Sequence, residues 1–187
     1  MFNHIEGTIE NKFDDSICLN TNLGLGVLVF VSDVRKFKTN SKCKLYINEF
    51  IKDEQIFIYG FKTIEELNFF NLLVAINGIG PKTALTILKN IDINHLIFLI
   101  TNRMFNELRL ISGIGSKAEK IVFELKDKIG QFDSIKLKYN DVYLALKNLG
   151  YKDSTIFNSL NKLKNGLSNS EALKICIEGI KNEKQAQ

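Results

Sequence analysis

Two glycine-rich segments of this chain have the composition of turns that hold a phosphate group. The first is GIGPK at residues 78–82, and the second, 35 residues later, is GIGSK at residues 113–117. In each, the first glycine can adopt a positive φ and end a helix, and the second has no side chain to keep a phosphate from the backbone. The helix that follows begins with unpaired N–H groups and the positive end of its dipole, which suit an anion.

The residues between and after the glycines fit the same interpretation. The isoleucine of each copy can turn inward and fix the turn to a core, and Pro81 suits a first helical position because that position needs no N–H group. A single such segment would be read as a plain helix–helix turn with a solubilising lysine, but the repetition favours phosphate binding. The candidate phosphate-binding residues are Gly78, Ile79, Gly80, Pro81, Lys82, Gly113, Ile114, Gly115, Ser116, Lys117 and Lys120.

The first 60 residues contain the β-structure of the chain. Runs rich in Val, Ile, Phe, Leu and Tyr, separated by turn-like Asp, Asn and Ser, predict five short strands. Five strands in so short a stretch predict a closed OB-like barrel, because closure removes exposed sheet edges. The predicted strands are Phe2–Ile9, Ser16–Asn20, Gly24–Val31, Cys43–Phe50 and Gln55–Phe61.

The periodicity becomes helical at Thr63, which with Glu66 forms a capping box. That helix is expected to end at residues 77–78, and the next ones to span 81–90, 93–101 (capped by Asp92), 105–111 and 116–129. A polar stretch predicts a linker, and a last group of helices is expected at 141–149, 153–164 and 172–181. The chain is thus predicted to be α+β and multidomain: a barrel with an acidic hairpin (1–62), a tandem helix-hairpin-helix domain (63–130), a linker (131–139) and a three-helix bundle (140–187).

Composition excludes several classes of protein. The 187 residues are 45% hydrophobic and 25% charged with a net charge of +4, which is ordinary for a globular chain and too small for a dense basic stripe. Three separated cysteines and two isolated histidines predict neither a disulfide framework nor a metal site. The sequence contains no P-loop motif, so ATP hydrolysis by that route is not expected. No apolar run is long enough for a membrane span. The first residues lack a signal-peptide pattern, so a cytoplasmic protein is expected.

The order of these segments resembles the RuvA family, whose members bind Holliday junctions and recruit the RuvB ATPase. The resemblance covers nearly the whole chain and is strongest in LVAINGIGPKTALTIL (73–88), YGF (59–61), ELKDK (124–128) and ALKNLGYK (145–152). It implies a subunit without a catalytic site or cofactor that binds four-way junction DNA as a homotetramer or octamer. The further partners it implies are RuvB, which would drive branch migration, and the RuvC resolvase.

The resemblance also assigns roles that the residues alone do not. Asp53 and Glu54 match an acidic pin at the tip of a hairpin, although taken alone they are an ordinary charged turn. The second glycine segment departs from the family pattern, because Ser116 replaces a basic residue and the stretch is one residue short. The C-terminal helices match the RuvB-binding module, in which five apolar residues are either core or docking face: Leu146, Leu149, Tyr151, Leu160 and Leu163.

Two other functions remain open at the level of sequence. The first is a helix-hairpin-helix DNA glycosylase/lyase, for which Lys120 and Asp127 are the nearest catalytic candidates, although a small barrel offers no pocket for a flipped base. The second is an OB-type single-stranded DNA-binding protein, which would need exposed aromatic side chains on the barrel face.

Overall fold

The computed structural model describes residues 2–129, 139–152, 155–156, 159–160, 162–163 and 167–185. The chain divides into two compact units, residues 1–129 and 130–187. The predicted boundary at 62/63 falls inside the first unit and stays a prediction. The predicted linker, 131–139, lies outside the described residues except for Tyr139.

The N-terminal part of the first unit is a closed five-stranded barrel, as predicted. Its strands follow the order β1-β2-β3-β5-β4, antiparallel except for the parallel pair of β3 and β5. Alternate side chains point inward because successive residues of a strand face opposite sides, and the barrel core contains Ile9, Ile17, Leu19, Val29, Val31, Phe37, Leu45 and Ile47. The strands are β1 (His4–Lys12), β2 (Ser16–Thr21), β3 (Gly26–Phe30), β4 (Lys42–Lys52) and β5 (Gln55–Phe61).

Five helices complete the first unit. They are α1 (Ile64–Val74), α2 (Pro81–Asn90), α3 (Ile93–Thr101), α4 (Phe105–Arg109) and α5 (Ala118–Leu125). The Thr63 hydroxyl accepts a hydrogen bond from the Glu66 N–H at 3.1 Å, and the Asp92 carboxylate accepts from the Asn94 N–H at 3.0 Å. Both predicted caps are therefore present and set where α1 and α3 begin.

The helix predicted over 116–129 is shorter than expected. A 3₁₀ turn occupies Gly115–Lys117, and α5 covers only Ala118–Leu125. The late start follows from Gly115, whose φ of +49° is left-handed and does not start a regular α-helix. At the other end, residues 126–128 form a turn.

Aromatic side chains attach α1 to the outer face of the barrel. The ring of Phe70 lies 5.4 Å from that of Tyr59 and 4.7 Å from that of Phe61, centroid to centroid. Phe70 and Tyr59 are buried, so the contact removes a large apolar area from water. It places the helix that leads to the first glycine segment directly on the β4–β5 hairpin.

The second unit contains α6 (Asn140–Asn148) and α7 (Asn169–Gln185). A reciprocal capping box precedes α7: the Glu171 N–H donates to the Ser168 hydroxyl at 3.4 Å, and the Ser168 N–H donates to the Glu171 carboxylate at 2.9 Å. The Tyr139 hydroxyl donates to the Leu167 carbonyl oxygen at 3.1 Å. The predicted C-terminal helices are confirmed for these two, and the one predicted over 153–164 lies partly outside the described residues.

Within the described ranges, no single helix is long and apolar enough to cross a membrane. The pair formed by α2 and α3 meets the length and composition test together, but the two helices are bent by 97° to each other. In α3 the residues from Leu96 to Ile100 are buried in the protein.

Candidate nucleic-acid interface

The first glycine segment forms a tight turn between α1 and α2, here called hairpin 1 (residues 77–82). Gly78 has a φ of +92°, and the Ile79 N–H closes the turn on the Ile76 carbonyl oxygen at 2.9 Å. Ile79 is 3% exposed, so its side chain fixes the turn to the core. Gly78 thus meets the conformational requirement that the sequence suggested.

Gly80 has a different role in hairpin 1. Its φ of −84° and ψ of 171° are ordinary extended values, and it is the N-cap of α2 without a side-chain cap. A Cβ built on it would meet no atom of the described residues within 4 Å, so the space in front of its backbone is open. Glycine is not required here by strain. A glycine here leaves room for a group to approach the backbone.

The start of α2 supplies donors to this open space. The Ala84 N–H bonds to the Gly80 carbonyl oxygen at 2.9 Å, which leaves the earlier amides of the helix without an intrahelical acceptor. Because Pro81 has no N–H, these amides are those of Lys82 and Thr83, and the exposed Lys82 side chain adds a positive charge. Sequence analysis had not included Thr83, although its place two residues after a helix-starting proline identifies it.

The second glycine segment repeats the turn but not the helix start. In hairpin 2 (residues 112–117), Gly113 has a φ of +93° and the Ile114 N–H bonds to the Ile111 carbonyl oxygen at 3.0 Å, as in hairpin 1. The Lys117 N–H, however, bonds back to Ile114 at 3.0 Å. The 3₁₀ turn therefore uses an amide that remains available in hairpin 1, and Ser116, which is exposed, lies where hairpin 1 has a proline.

Charges around hairpin 2 are mixed. Lys120 is exposed on α5, and Lys117 is partly buried. Arg109 forms an ion pair with Glu119, and hydrogen bonds from the Glu119 backbone amide and from Arg109 lower the pKa of Glu119. A carboxylate held ionised beside Lys120 weakens the local positive potential. On both counts, hairpin 2 suits an anion less well than hairpin 1.

Hairpin 2 packs directly on α2. A Cβ on Gly113 would lie 3.0 Å from Cγ1 of Ile87 and 3.3 Å from the carbonyl oxygen of Thr83. Gly113 is therefore required both by its positive φ and by this close approach. The contact fixes the two hairpins to each other through the helix that starts in hairpin 1.

Asp53 and Glu54 form the two-residue turn of the β4–β5 hairpin. Lys52 pairs with Gln55 across it, and φ is +50° at Asp53 and +62° at Glu54, as in a type I′ turn. Both carboxylates are exposed. Non-glycine residues are uncommon with positive φ, so the hairpin carries two negative charges at a position where Asn-Gly would be the more stable choice.

The described residues that a DNA glycosylase/lyase or a single-stranded DNA-binding protein would use do not form a recognisable site for either function. Lys120 and Asp127 are both exposed, and no described group of three or more His, Cys, Asp or Glu side chains could hold a metal ion. On the outer face of the barrel, the ring of Phe30 lies 6.0 Å from that of Phe57 and 5.6 Å from that of Tyr59, centroid to centroid. Tyr59 is buried against Phe70, whereas Phe30 and Phe57 are partly exposed.

The five apolar candidates in the C-terminal unit divide into buried residues and residues that are at least partly exposed. Leu146, Leu160 and Leu163 are buried at 6% exposure or less and form part of its core. Leu149 is 61% exposed at the end of α6, and Tyr151 is partly exposed after Gly150, whose φ is +82°.

Comparisons with known proteins agree with this architecture. Residues 1–60 match the family described as RuvA N terminal domain, and residues 70–127 match the SAM-like helix-hairpin-helix tandem. A protein of Rickettsia prowazekii (strain Madrid E) named Holliday junction branch migration complex subunit RuvA is 40% identical, over 81% of this chain and 82% of its own. The chain belongs to the RuvA family. A RuvA subunit of Trichlorobacter lovleyi, 34% identical over 85% of this chain and 88% of its own, extends the family match beyond the rickettsial proteins.

Proposed function

We propose that this chain is a non-catalytic, structure-specific DNA-binding subunit that binds four-way junctions and couples them to the RuvB ATPase for branch migration. The observation that carries the proposal is hairpin 1, whose open backbone and unpaired amides suit a phosphate, in a chain of the RuvA family. Backbone contacts of this kind carry no sequence information. Binding should therefore depend on the shape of the DNA and not on its sequence.

The division of work between the hairpins follows from their geometry. Hairpin 1 offers amides and Lys82, and Pro81 fixes the start of α2. Hairpin 2 offers Ser116, Lys117 and Lys120 at a helix start that has one amide fewer available. We expect the first to contribute more of the affinity and the second to keep the duplex aligned.

We propose that several subunits act together, because the net charge of one chain is only +4. Each subunit supplies only a few phosphate contacts, and affinity for DNA grows steeply with the number of contacts. A homotetramer, alone or paired as an octamer, would place one pair of hairpins on each arm of the junction. The acidic turns would then meet at the crossover and repel phosphates there.

The C-terminal unit is the proposed site for RuvB. Leu149 and Tyr151 are the candidates for contact, because the other three apolar residues are used by the core. RuvC is proposed to act on the same junction. We propose that this protein acts on the chromosome in the cytoplasm.

The proposal is tested by comparing a four-way junction with a linear duplex of the same sequence in gel-shift titrations with competitor DNA. A parallel measurement of solution mass gives the number of subunits. We expect strong preference for the junction and a mass of four or eight subunits. Equal affinity for both DNAs, preference for single strands, or nicking lost in Lys120→Ala or Asp127→Asn would overturn the proposal.

A further inference from the structure

One hydrogen bond joins the strand that leads to the acidic turn to the helix that leads to hairpin 1. The side-chain amide Nδ2 of Asn48, on β4, donates to Oδ1 of Asn71, on α1, at 2.7 Å. Both residues are partly buried. Asn48 lies opposite Tyr59 in the strand register, so it stands on the barrel face that α1 covers.

The position of this bond relates two elements that the proposed function uses. Asp53 follows Asn48 by five residues, just past the end of β4 at Lys52, and Gly78 follows Asn71 by seven residues, four past the end of α1 at Val74. Along α1, the Glu66 carboxylate accepts a hydrogen bond from the Lys62 N–H, just after the end of β5, whereas Asn71 accepts one from Asn48, in the middle of β4. The C-terminal end of α1 therefore runs toward the end of the β4–β5 hairpin that carries the acidic turn.

Aromatic contacts also join α1 to the barrel, among them Phe70 against Tyr59 and Phe61. Apolar packing stabilises through area and tolerates small sliding movements, since it is non-directional. A short hydrogen bond between two amides constrains distance and angle. The Asn48–Asn71 bond is therefore a directional contact on a face that also packs through aromatic rings.

We propose that Asn48 and Asn71 are positioning residues that fix the offset between the acidic turn and hairpin 1. The inference rests on the proposed function, because the offset matters only if both elements contact one junction. Hairpin 1 then sets where the phosphates of an arm lie, and the Asn48–Asn71 bond sets where the carboxylates lie relative to them. Binding to a linear duplex, which uses the hairpins alone, does not depend on the offset.

The test compares three variants of the full-length chain. Asn71→Asp keeps an acceptor for Asn48 and is the conservative variant. Asn48→Leu with Asn71→Leu removes the bond and fills the space with apolar atoms, and Asn48→Asp with Asn71→Asp places two carboxylates together. Thermal unfolding of each establishes that it is folded. Affinities for a four-way junction and for a linear duplex are then measured at one salt concentration, with 2-aminopurine fluorescence at the crossover as a readout of base unpairing.

We expect the double-leucine variant to keep its duplex affinity and to lose about fivefold in the junction-to-duplex affinity ratio, the factor for one hydrogen bond of ordinary net strength. The 2-aminopurine signal of the double-leucine variant should also fall. The conservative variant Asn71→Asp should keep the wild-type affinity ratio and the wild-type fluorescence. The double-aspartate variant should resemble the double-leucine one. A folded double-leucine variant with the wild-type ratio and fluorescence would overturn the inference. A wild-type protein without junction preference would instead overturn the proposed function.

Discussion

A Cβ placed on Gly113 would lie 3.0 Å from Cγ1 of Ile87, so hairpin 2 is built against the helix that begins in hairpin 1. Gly78, at the equivalent position of hairpin 1, has nearly the same φ but no described atom within 4 Å of such a Cβ. The tandem motif is therefore asymmetric: only the second copy uses its first glycine as a packing surface.

This asymmetry predicts unequal effects of one substitution. Gly78→Ala should cost about 1–2 kcal/mol in the free energy of unfolding, for the left-handed backbone alone. Gly113→Ala adds overpacking against Ile87 and should cost about 1–3 kcal/mol more. Urea unfolding of the two variants beside the wild type measures both costs. Equal losses would contradict the packing role of Gly113.

A substitution at Gly80 should have the opposite effect, with little loss of stability and a loss of DNA affinity. Because its φ of −84° is ordinary and its Cβ position is open, Gly80→Val should fold, with a loss of no more than about 1 kcal/mol for a poorer N-cap. The valine side chain would occupy the space proposed for a phosphate, so affinity should fall alike for junctions and duplexes of any sequence. Gel-shift titrations on two unrelated sequences test this, with Gly80→Ser as the smaller matched change. A loss confined to one sequence would contradict backbone recognition.

Sequence could predict what depends on local chemistry. The caps at Thr63 and Asp92, the strand Gln55–Phe61 and the positive φ of Gly78 and Gly113 all follow from residue types and spacing. It could not predict the 3₁₀ turn at Gly115–Lys117, because the Gly-Ile-Gly pattern does not specify the φ of its second glycine, which is −84° at Gly80 and +49° at Gly115. Nor could it separate Leu146 from Leu149, since burial within a small helical unit depends on how the helices pack.

The free energy of unfolding should depend on pH through Asp33, which lies in the loop between β3 and β4. Two hydrogen bonds from the Arg35 guanidinium and one from its backbone N–H lower the pKa of Asp33 from 3.8 to about 2. A carboxyl with a lowered pKa in the folded state contributes stability above its unfolded pKa and loses it as pH falls toward the folded one. The difference in stability between wild type and Asp33→Asn should thus be constant above pH 5 and shrink between about pH 4 and pH 2. Urea unfolding across this range measures it, and NMR titration of the carboxyl carbon provides the independent check.

A substitution at Leu149 should impair the coupling to RuvB and leave DNA binding intact. Leu149→Asp changes an exposed side chain in the second unit, so the fold and the junction affinity should be unaffected. Stimulation of the RuvB ATPase by the junction-bound protein should fall by about tenfold, the loss typical of an exposed apolar anchor at an interface. Asn148→Asp adds the same charge at the neighbouring exposed position and is the control. Equal effects of the two variants would assign the loss to charge and not to docking.

The acidic turn gives the most discriminating prediction, because its geometry separates charge from structure. With positive φ at both positions, Glu54→Gly creates Asp-Gly, and Asp53→Asn with Glu54→Gly creates Asn-Gly, both favoured in type I′ turns. Both variants should unfold at the same temperature as the wild type or higher. Junction affinity should be equal or greater, since one or two negative charges facing DNA are removed.

The variants should differ in how they handle the crossover. The double variant, without carboxylates, should lose the 2-aminopurine signal of unpaired bases at the junction centre, and Glu54→Gly, with one carboxylate left, should retain part of it. Branch-migration rates with RuvB should follow the same order. If the double variant is stable, binds junctions and opens the crossover as the wild type does, then Asp53 and Glu54 are only a polar turn. A graded loss at constant stability can come only from the charge, because the turn conformation is the same in all three proteins.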